Sequence, residues 1–266
     1  MEPDHLHTAA RRHLMDRYQQ LTTAYSRLPN HGRAADGYHY TPEARQIFPR
    51  CHVAAAILDD VERLDPERLP PPAQLAEALV HSARSAASVF TSDARDAGVI
   101  ADERRRFEAV VADWLRPGRL PVVAPLPYRR VLAAEESRRR QELLAQRWGL
   151  VGRVWHPMLG RTAPPAEVLV LNQNAVYDEG AELVRRILRE YGAGRVTELR
   201  EDGADRLLDV ELVELGYHWA EGVWSDDSLS WMAYASHEDT VAVGGRLAEA
   251  LAERLPHLDE WRWHGW

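Results

Sequence analysis

The segment RPGRLPVVAPLP, residues 116–127, constrains the fold more than any other stretch, because it holds four prolines in twelve residues. Proline has no backbone N–H and disfavours a helical conformation in the residue before it, so this segment must run extended. The periodicity of the apolar residues also changes across it. We therefore predict a boundary here between a helical domain and a part of the chain that contains strands.

Before this segment the apolar residues recur at helical spacing. The first stripe has steps of four and three residues and consists of Leu14, Tyr18, Leu21, Tyr25 and Leu28. Such steps place side chains on one face of an amphipathic helix. Thr41 and Pro42 are typical of a helix start, and Pro49 predicts a kink or a split in the helix that follows. Residues 1–116 are thus predicted to form a compact bundle of four or five helices.

After this domain the pattern turns to short apolar runs that are typical of strands. Residues 117–148 are predicted to be a proline-rich linker and a connecting helix. Residues 149–266 are predicted to hold strands in RVWHPML, AEVLVLN, LSWMAYAS and TVAVGG. Two more strands are expected around a turn at Asp202-Gly203, and Asp178 is expected to cap a helix. The predicted fold class is α+β, in which the N-terminal helical bundle is followed by a mostly antiparallel sheet with helices on one face.

Composition excludes several kinds of chemistry. All 33 basic residues are arginine, so there is no lysine for a phosphate-binding loop, a kinase ATP site or a Schiff base. No apolar run reaches the ~18 residues that span a bilayer, and the N-terminus lacks an apolar signal core. We therefore expect a cytoplasmic bacterial protein that does not enter membranes. The single cysteine, Cys51, starts an apolar helical pattern and is predicted to be a buried thiol.

Charge is unevenly distributed along the chain, whose net charge is −8. Residues 119–148 carry a net charge of +4, whereas residues 149–266 carry −10. The basic stretches are short and interleaved with acidic residues, which is typical of solvated helix faces rather than a nucleic-acid interface. The acidic C-terminal domain instead favours a partner with a basic surface.

The stretch WMAYASHEDTVAVGG places Ser236, His237 and Glu238 side by side. Alternation on both sides of SHED predicts a β-hairpin with these residues in its turn. A catalytic triad needs three side chains that hydrogen-bond in series, a geometry that neighbours in a tight turn rarely achieve. Ser236 is therefore predicted to be a turn residue. His237 or Glu238 could still act as an acid or base with a partner from elsewhere in the chain.

Two further patterns leave alternatives open. Gly244-Gly245, before the last helix, could bind an anion through backbone amides or could only let the chain turn sharply, and we favour the turn. His31, Asp36 and His39 could bind a metal or could be ordinary loop residues. Their spacing matches no metal-binding motif, so we predict neither a metal site nor a cofactor.

Tryptophan is concentrated in the acidic C-terminal region, where eight of the nine tryptophans lie from residue 148 onward. The segment GYHWAEGVWSDDSLSW has no clear periodicity and mixes aromatic rings with carboxylates. Such a mixture suits a cationic partner. The predicted partner-binding residues are Tyr217, Trp219, Glu221, Trp224, Asp226 and Asp227. Alternatively, the rings only cap the open end of the sheet.

These features favour a protein-binding protein, such as an inhibitor or immunity-type protein, that recognises a basic partner. The alternative is an enzyme of unfamiliar type, in which His237 and Glu238 act as acid and base in a pocket lined by tryptophan. A scaffolding role for the helical half is a third reading. The sequence does not specify the oligomeric state.

Overall fold

The computed structural model of the chain describes residues 2–34, 37, 39–155, 168–177 and 179–263. The chain divides into two units, Met1–Leu126 and Pro127–Trp266. The proline-rich segment therefore falls almost entirely in the first unit, and the helix that follows it belongs to the second. Within the described ranges, no helix is both long and apolar enough to cross a membrane.

The described residues of the first unit form four α-helices. They are α1 (Pro3–Ser26), α2 (Pro42–Val61), α3 (Pro72–Ser85) and α4 (Ala97–Trp114). Thr41 caps α2 as predicted, because its hydroxyl accepts a hydrogen bond from the Ala44 N–H at 3.1 Å. The predicted split at Pro49 is wrong, since α2 continues through this residue. Burial of Ala44 and Val53 on either side of Pro49 stabilises the helix where the backbone hydrogen bond is missing.

The core of the first unit lies where the apolar faces of these helices meet. Each helix contributes deeply buried side chains, such as Leu14, Val53, Leu79 and Val111. Burying a side chain of this kind contributes about 1.5–3 kcal/mol relative to leaving it exposed. The predicted N-terminal helical bundle is confirmed. Cys51 is a buried thiol, and burial raises its pKa to about 11.

The second unit is built on a seven-stranded antiparallel sheet. Its strands are β1 (Arg129–Val131), β2 (Val168–Asn172), β3 (Arg195–Arg200), β4 (Arg206–Asp209), β5 (Gly222–Ser225), β6 (Trp231–Ser236) and β7 (Thr240–Gly245). Their order across the sheet is β1-β4-β3-β5-β6-β7-β2, and every pairing is antiparallel. The helices are α5 (Ala134–Trp148), α6 (Glu179–Glu190), α7 (Arg246–Arg254) and α8 (Leu258–Trp261). The predicted α+β fold class is confirmed.

Alternation along β6 assigns the two faces of the sheet. Trp231 and Ala233 belong to the buried cluster to which α6 and α7 contribute their apolar faces. Tyr234 belongs to the cluster on the opposite face, which also contains Trp148 of α5. The predicted helical layer on one face is thus formed by α6 and α7, and α5 packs against the other face.

The edge strand β2 is covered in part by the C-terminal segment. Leu171 forms a β-bridge with Arg262, and the Trp263 N–H donates a hydrogen bond to the Val170 carbonyl at 3.0 Å. These contacts pair backbone groups on the outer side of β2 that would otherwise face solvent.

Two strands were not predicted. β1 has three residues and directly follows the proline-rich segment, and β5 begins at Gly222, a residue type that is depleted in strands. Conversely, RVWHPML was predicted to be a strand, but residues 153–155 lie in a turn and an isolated bridge. The rest of that run lies outside the described residues, as does the predicted helix cap Asp178.

Candidate functional site

One end of the antiparallel sheet gathers loops that are rich in carboxylates. β3 and β6 finish at this end, and β5 and β7 begin there. We call residues 201–205, 216–221 and 237–239, which form these loops, the acidic end. Its acidic residues are Glu201, Asp202, Asp205, Glu221, Glu238 and Asp239.

The SHED turn connects β6 and β7, as predicted. The Ser236 hydroxyl lies 3.2 Å from that of Thr240 and accepts a hydrogen bond from the Glu238 N–H at 3.1 Å. Asp239 closes the turn with a left-handed backbone, φ +55°. No histidine or carboxylate of the described chain hydrogen-bonds the Ser236 hydroxyl. By geometry Ser236 is therefore a turn residue rather than an activated nucleophile.

His237 hydrogen-bonds a carboxylate that comes from another loop. Its Nδ1 lies 2.5 Å from Oε1 of Glu221, and its backbone N–H donates to the same oxygen at 3.4 Å. The other oxygen of Glu221 accepts a hydrogen bond from the Tyr234 hydroxyl. Glu221 and Tyr234 are buried, whereas the His237 side chain is 66% exposed. The three residues thus form a hydrogen-bonded series that runs from the core of the sheet to its surface.

The charges in this series stabilise one another. The hydrogen bond to Glu221 raises the pKa of His237. Burial raises the pKa of Glu221, but the hydrogen bonds from Tyr234 and His237 outweigh it and hold this pKa below its usual value. Burial, together with the hydrogen bond to Glu221, raises the pKa of Tyr234. Glu221 is therefore ionised near neutral pH, and His237 keeps its proton to a higher pH than a free histidine does.

Trp219 projects from the acidic end. It is 94% exposed and has a left-handed backbone, φ +64°. This conformation costs a bulky residue about 1–2 kcal/mol, so neighbouring contacts must hold it. The Arg200 Nη2 donates a hydrogen bond to the His218 carbonyl at 3.0 Å. The Tyr217 N–H donates one to Oε1 of Gln173, also at 3.0 Å. The loop therefore presents a large apolar ring to solvent at a defined position.

Three of the six predicted partner-binding residues lie together at the acidic end, namely Tyr217, Trp219 and Glu221. Glu221 is already engaged by His237, so it orients a neighbour instead of standing free for a partner. Sequence reasoning missed Glu201, whose N–H donates to the Glu221 carbonyl at 2.9 Å. The pairing of β3 with β5 brings Glu201 here, and only a correct prediction of β5 could have revealed it.

The other three predicted residues lie elsewhere. Trp224 is fully buried and belongs to the core, not to a binding surface. Asp226 follows the opposite end of β5 and accepts a hydrogen bond from the Ser228 N–H at 2.9 Å. Asp227, beside it, forms an ion pair with Arg140 at 2.5 Å. The predicted aromatic and acidic segment is therefore divided between the core and two ends of the sheet.

Two of the three candidate metal ligands of the first unit, His31 and His39, lie within the described residues. The Tyr25 hydroxyl donates to the backbone carbonyl of His31 at 2.9 Å, and His39 lines a cleft beside Tyr40. Asp36 lies outside the described residues. Over the described ranges, no group of three or more histidine, cysteine, aspartate or glutamate side chains is placed to hold a metal.

The Gly244-Gly245 pair has a packing explanation. A Cβ on Gly244 would lie 2.7 Å from the Trp148 ring, closer than van der Waals contact allows. Gly245 has φ +67°, and a Cβ there would collide with the Ser230 carbonyl. Gly245 therefore allows the sharp passage from β7 into α7, as in the favoured reading of the sequence, whereas Gly244 leaves room for the Trp148 ring.

In comparisons with known proteins, the chain matches no protein-family model, no curated protein and no solved structure.

Proposed function

We propose that this protein binds another protein, one with a basic surface, through the acidic end of its second unit. An inhibitor or immunity-type protein is the class that fits this proposal. Trp219 is the observation that carries it, because the ring is 94% exposed on a backbone conformation that is unfavourable for a bulky side chain. An indole in water buries little apolar surface and adds little to folding stability. A partner that covered the ring would bury its apolar surface and so gain binding free energy.

The surroundings of Trp219 suit a cationic partner. Glu201, Asp202 and Asp239 are exposed at the same end, and Glu238 is half-buried. Arginine and lysine side chains can stack on an indole while they pair with nearby carboxylates. Tryptophan is also one of the residues that contribute most to protein interfaces. Concentrated negative charge would in addition speed the encounter with a basic surface.

Capture from a lysate of the source organism, with the intact chain immobilised, tests this proposal. The wild-type chain should retain a basic protein, and Trp219→Ala should retain it roughly tenfold less well, as expected for a central aromatic contact. Glu201→Gln combined with Glu238→Gln should weaken retention and make it less sensitive to salt. Glu249→Gln, on the first turn of α7, is the matched charge control and should behave as wild type. If wild type and Trp219→Ala retain the same proteins equally, the proposal is wrong.

A second candidate function is acid/base catalysis at His237. The favouring observation is the ring's orientation, because Glu221, rather than Glu238, binds Nδ1, and no described residue hydrogen-bonds Nε2. A carboxylate in this position orients an imidazole for proton transfer. Protein binding remains preferred because a side chain that is 66% exposed lacks the water-excluding surroundings in which such transfer is efficient. An activity that His237→Gln reduced by roughly 10²–10⁴, and Trp219→Ala left intact, would reverse this preference.

A further inference from the structure

A cleft in the second unit lies between α5 and the strands β1 and β4. Its volume is about 330 Å³. It is lined by three arginines, two carboxylates and three leucines, namely Arg130, Arg139, Arg140, Glu136, Asp227, Leu132, Leu143 and Leu207. Most of these residues come from residues 119–148, the stretch with a net charge of +4 in an otherwise acidic chain. The cleft therefore differs in chemistry from the acidic end.

Helical periodicity places half of the lining on one face of α5. Arg139 and Arg140 follow Glu136 by three and four residues and precede Leu143 by four and three, so all four side chains lie on one side of the helix. Arg138 immediately precedes two of them but does not line the cleft. Of the three consecutive arginines of SRRRQ, Arg139 and Arg140 thus line the cleft and Arg138 does not.

The cleft has one arginine more than its carboxylates can neutralise. Both oxygens of Glu136 bind Arg130, each at 2.8 Å, in a two-pronged ion pair. Asp227 binds Arg140 at 2.5 Å. Arg139 forms no ion pair with any residue of the described chain. Its guanidinium is therefore available to a negatively charged ligand.

The ion pair between Arg140 and Asp227 can be exchanged. The Asp227 side chain is 80% exposed, so water can replace the arginine around it. Exposed ion pairs of this kind contribute only about 0–1 kcal/mol. An incoming anion can therefore replace Asp227 as the partner of Arg140 at a small cost in free energy. Arg130 is held more firmly because both of its terminal nitrogens are engaged.

We infer that this cleft binds a small organic anion with a carboxylate, sulfonate or phosphate head and an apolar body. The head pairs with Arg139 and Arg140, since guanidinium groups bind oxyanions through parallel hydrogen bonds. The body covers Leu143 and Leu207, which are half-buried on opposite walls. This inference is independent of the proposed function, because the cleft contains none of the residues of the acidic end.

Fluorescence titration with 8-anilinonaphthalene-1-sulfonate tests the inference. This probe joins a sulfonate to apolar rings, and its emission rises when the rings leave water. We expect saturable binding of one molecule per chain, and displacement by hexanoate but not by hexanol at the same concentration. The absence of saturable binding, or equal displacement by the two competitors, would overturn the inference.

Three substitutions locate the binding. Arg139→Gln should weaken probe binding roughly tenfold, through loss of a charge-assisted contact. Arg138→Gln is the matched control and should leave binding unchanged. Asp227→Asn should tighten binding, because Arg140 then loses its competing carboxylate. Circular dichroism and thermal midpoints establish that each variant is folded. Equal weakening by Arg138→Gln and Arg139→Gln, or no tightening by Asp227→Asn, would show that these arginines do not form the site.

Discussion

The Nδ1 atom of His237 lies 2.5 Å from the carboxylate of Glu221, a residue sixteen positions earlier in the sequence. The pairing of β5 with β6 brings the two together, because Gly222 lies opposite Ala235. The same carboxylate accepts a hydrogen bond from the buried Tyr234 hydroxyl. The carboxylate of Glu221 thus links an imidazole at the surface to a hydroxyl in the core of the sheet.

The pair of His237 and Glu221 should make stability depend on pH. The pKa of His237 is raised, so its contribution is present below the ordinary value of 6.5 and is lost as the pH rises through the raised pKa. The pKa of Glu221 is lowered, so its contribution is present above the ordinary value of 4.5 and is lost as the pH falls through the lowered pKa. The stabilisation should therefore be greatest between these two values. Urea denaturation of wild type and His237→Gln at several pH values measures the difference.

Glu221→Gln provides the control for this pH dependence. Without the carboxylate, the pKa of His237 should fall back toward the ordinary histidine value, as followed by the NMR chemical shift of its ring proton. An unchanged His237 titration in Glu221→Gln would contradict the pairing.

Tyr234→Phe should destabilise the second unit by about 1–3 kcal/mol, because it leaves an oxygen of a buried carboxylate without its donor. The penalty should shrink at acidic pH, where protonation removes the charge of Glu221. Tyr128→Phe is the matched control, since Tyr128 is half-buried and its hydroxyl accepts a hydrogen bond from Nε of Arg130 at 3.2 Å. Chemical denaturation compares the two variants, and equal losses would argue against a special role for Tyr234.

Gly244→Ala should destabilise the protein by about 1–3 kcal/mol, the usual effect of overpacking a core. The added methyl group would lie 2.7 Å from the Trp148 ring, and the fully buried indole has little room to move. Gly194→Ala is the control, because a Cβ there meets no atom within 4 Å. The thermal unfolding midpoints of both variants, compared with that of wild type, test this prediction. A Gly244→Ala variant as stable as wild type would mean that Trp148 can shift.

Ser236→Ala should lower the free energy of unfolding by about 0.5–1.5 kcal/mol, through loss of its turn hydrogen bonds. Any binding or catalytic activity should stay within about threefold of wild type, because this hydroxyl serves the turn rather than chemistry. Loss of activity in a variant that remains folded would instead identify Ser236 as a nucleophile.

Association with a basic partner should slow as the ionic strength rises. Exposed charges are screened over about 8–10 Å at physiological salt, which weakens electrostatic steering toward the acidic end. Stopped-flow or surface-based kinetics at increasing NaCl concentration would show a falling association rate and a smaller change in dissociation. A rate that is indifferent to salt would contradict the electrostatic part of the proposal.

Strand length explains which parts of the sheet the sequence predicts. β6 and β7 each have six residues, enough for the alternation in WMAYAS and TVAVGG to show a period of two. β1 has three residues, which is too short for such a pattern. β4 and β5 each have four residues, but only β4 follows an Asp-Gly turn that marks it in the sequence. Gly222 makes β5 still harder to recognise in the sequence, because it contributes no side chain to the alternation.

The candidate site is only partly predictable because strand register brings its residues together. His237 and Glu221 attract attention separately, one as a turn histidine and one as an acidic neighbour of tryptophan. Their contact requires β5 and β6 to pair in one register, which neither segment determines alone. Trp224 shows the same limit, since its burial follows from the position of β5 in the middle of the sheet. Nothing in the sequence around Tyr234 indicates its hydrogen bond to Glu221.

The pairing of the C-terminal segment with β2 decides how another chain can approach the sheet. Arg262 and Trp263 occupy the outer side of β2, and the strand at the other margin, β1, offers only three residues. A chain that docked by adding a strand would have to displace Arg262 and Trp263 from β2, or pair with only three residues at β1. Recognition of another protein by this unit would therefore use side chains rather than a free strand edge, and its margins offer a poor template for fibril growth.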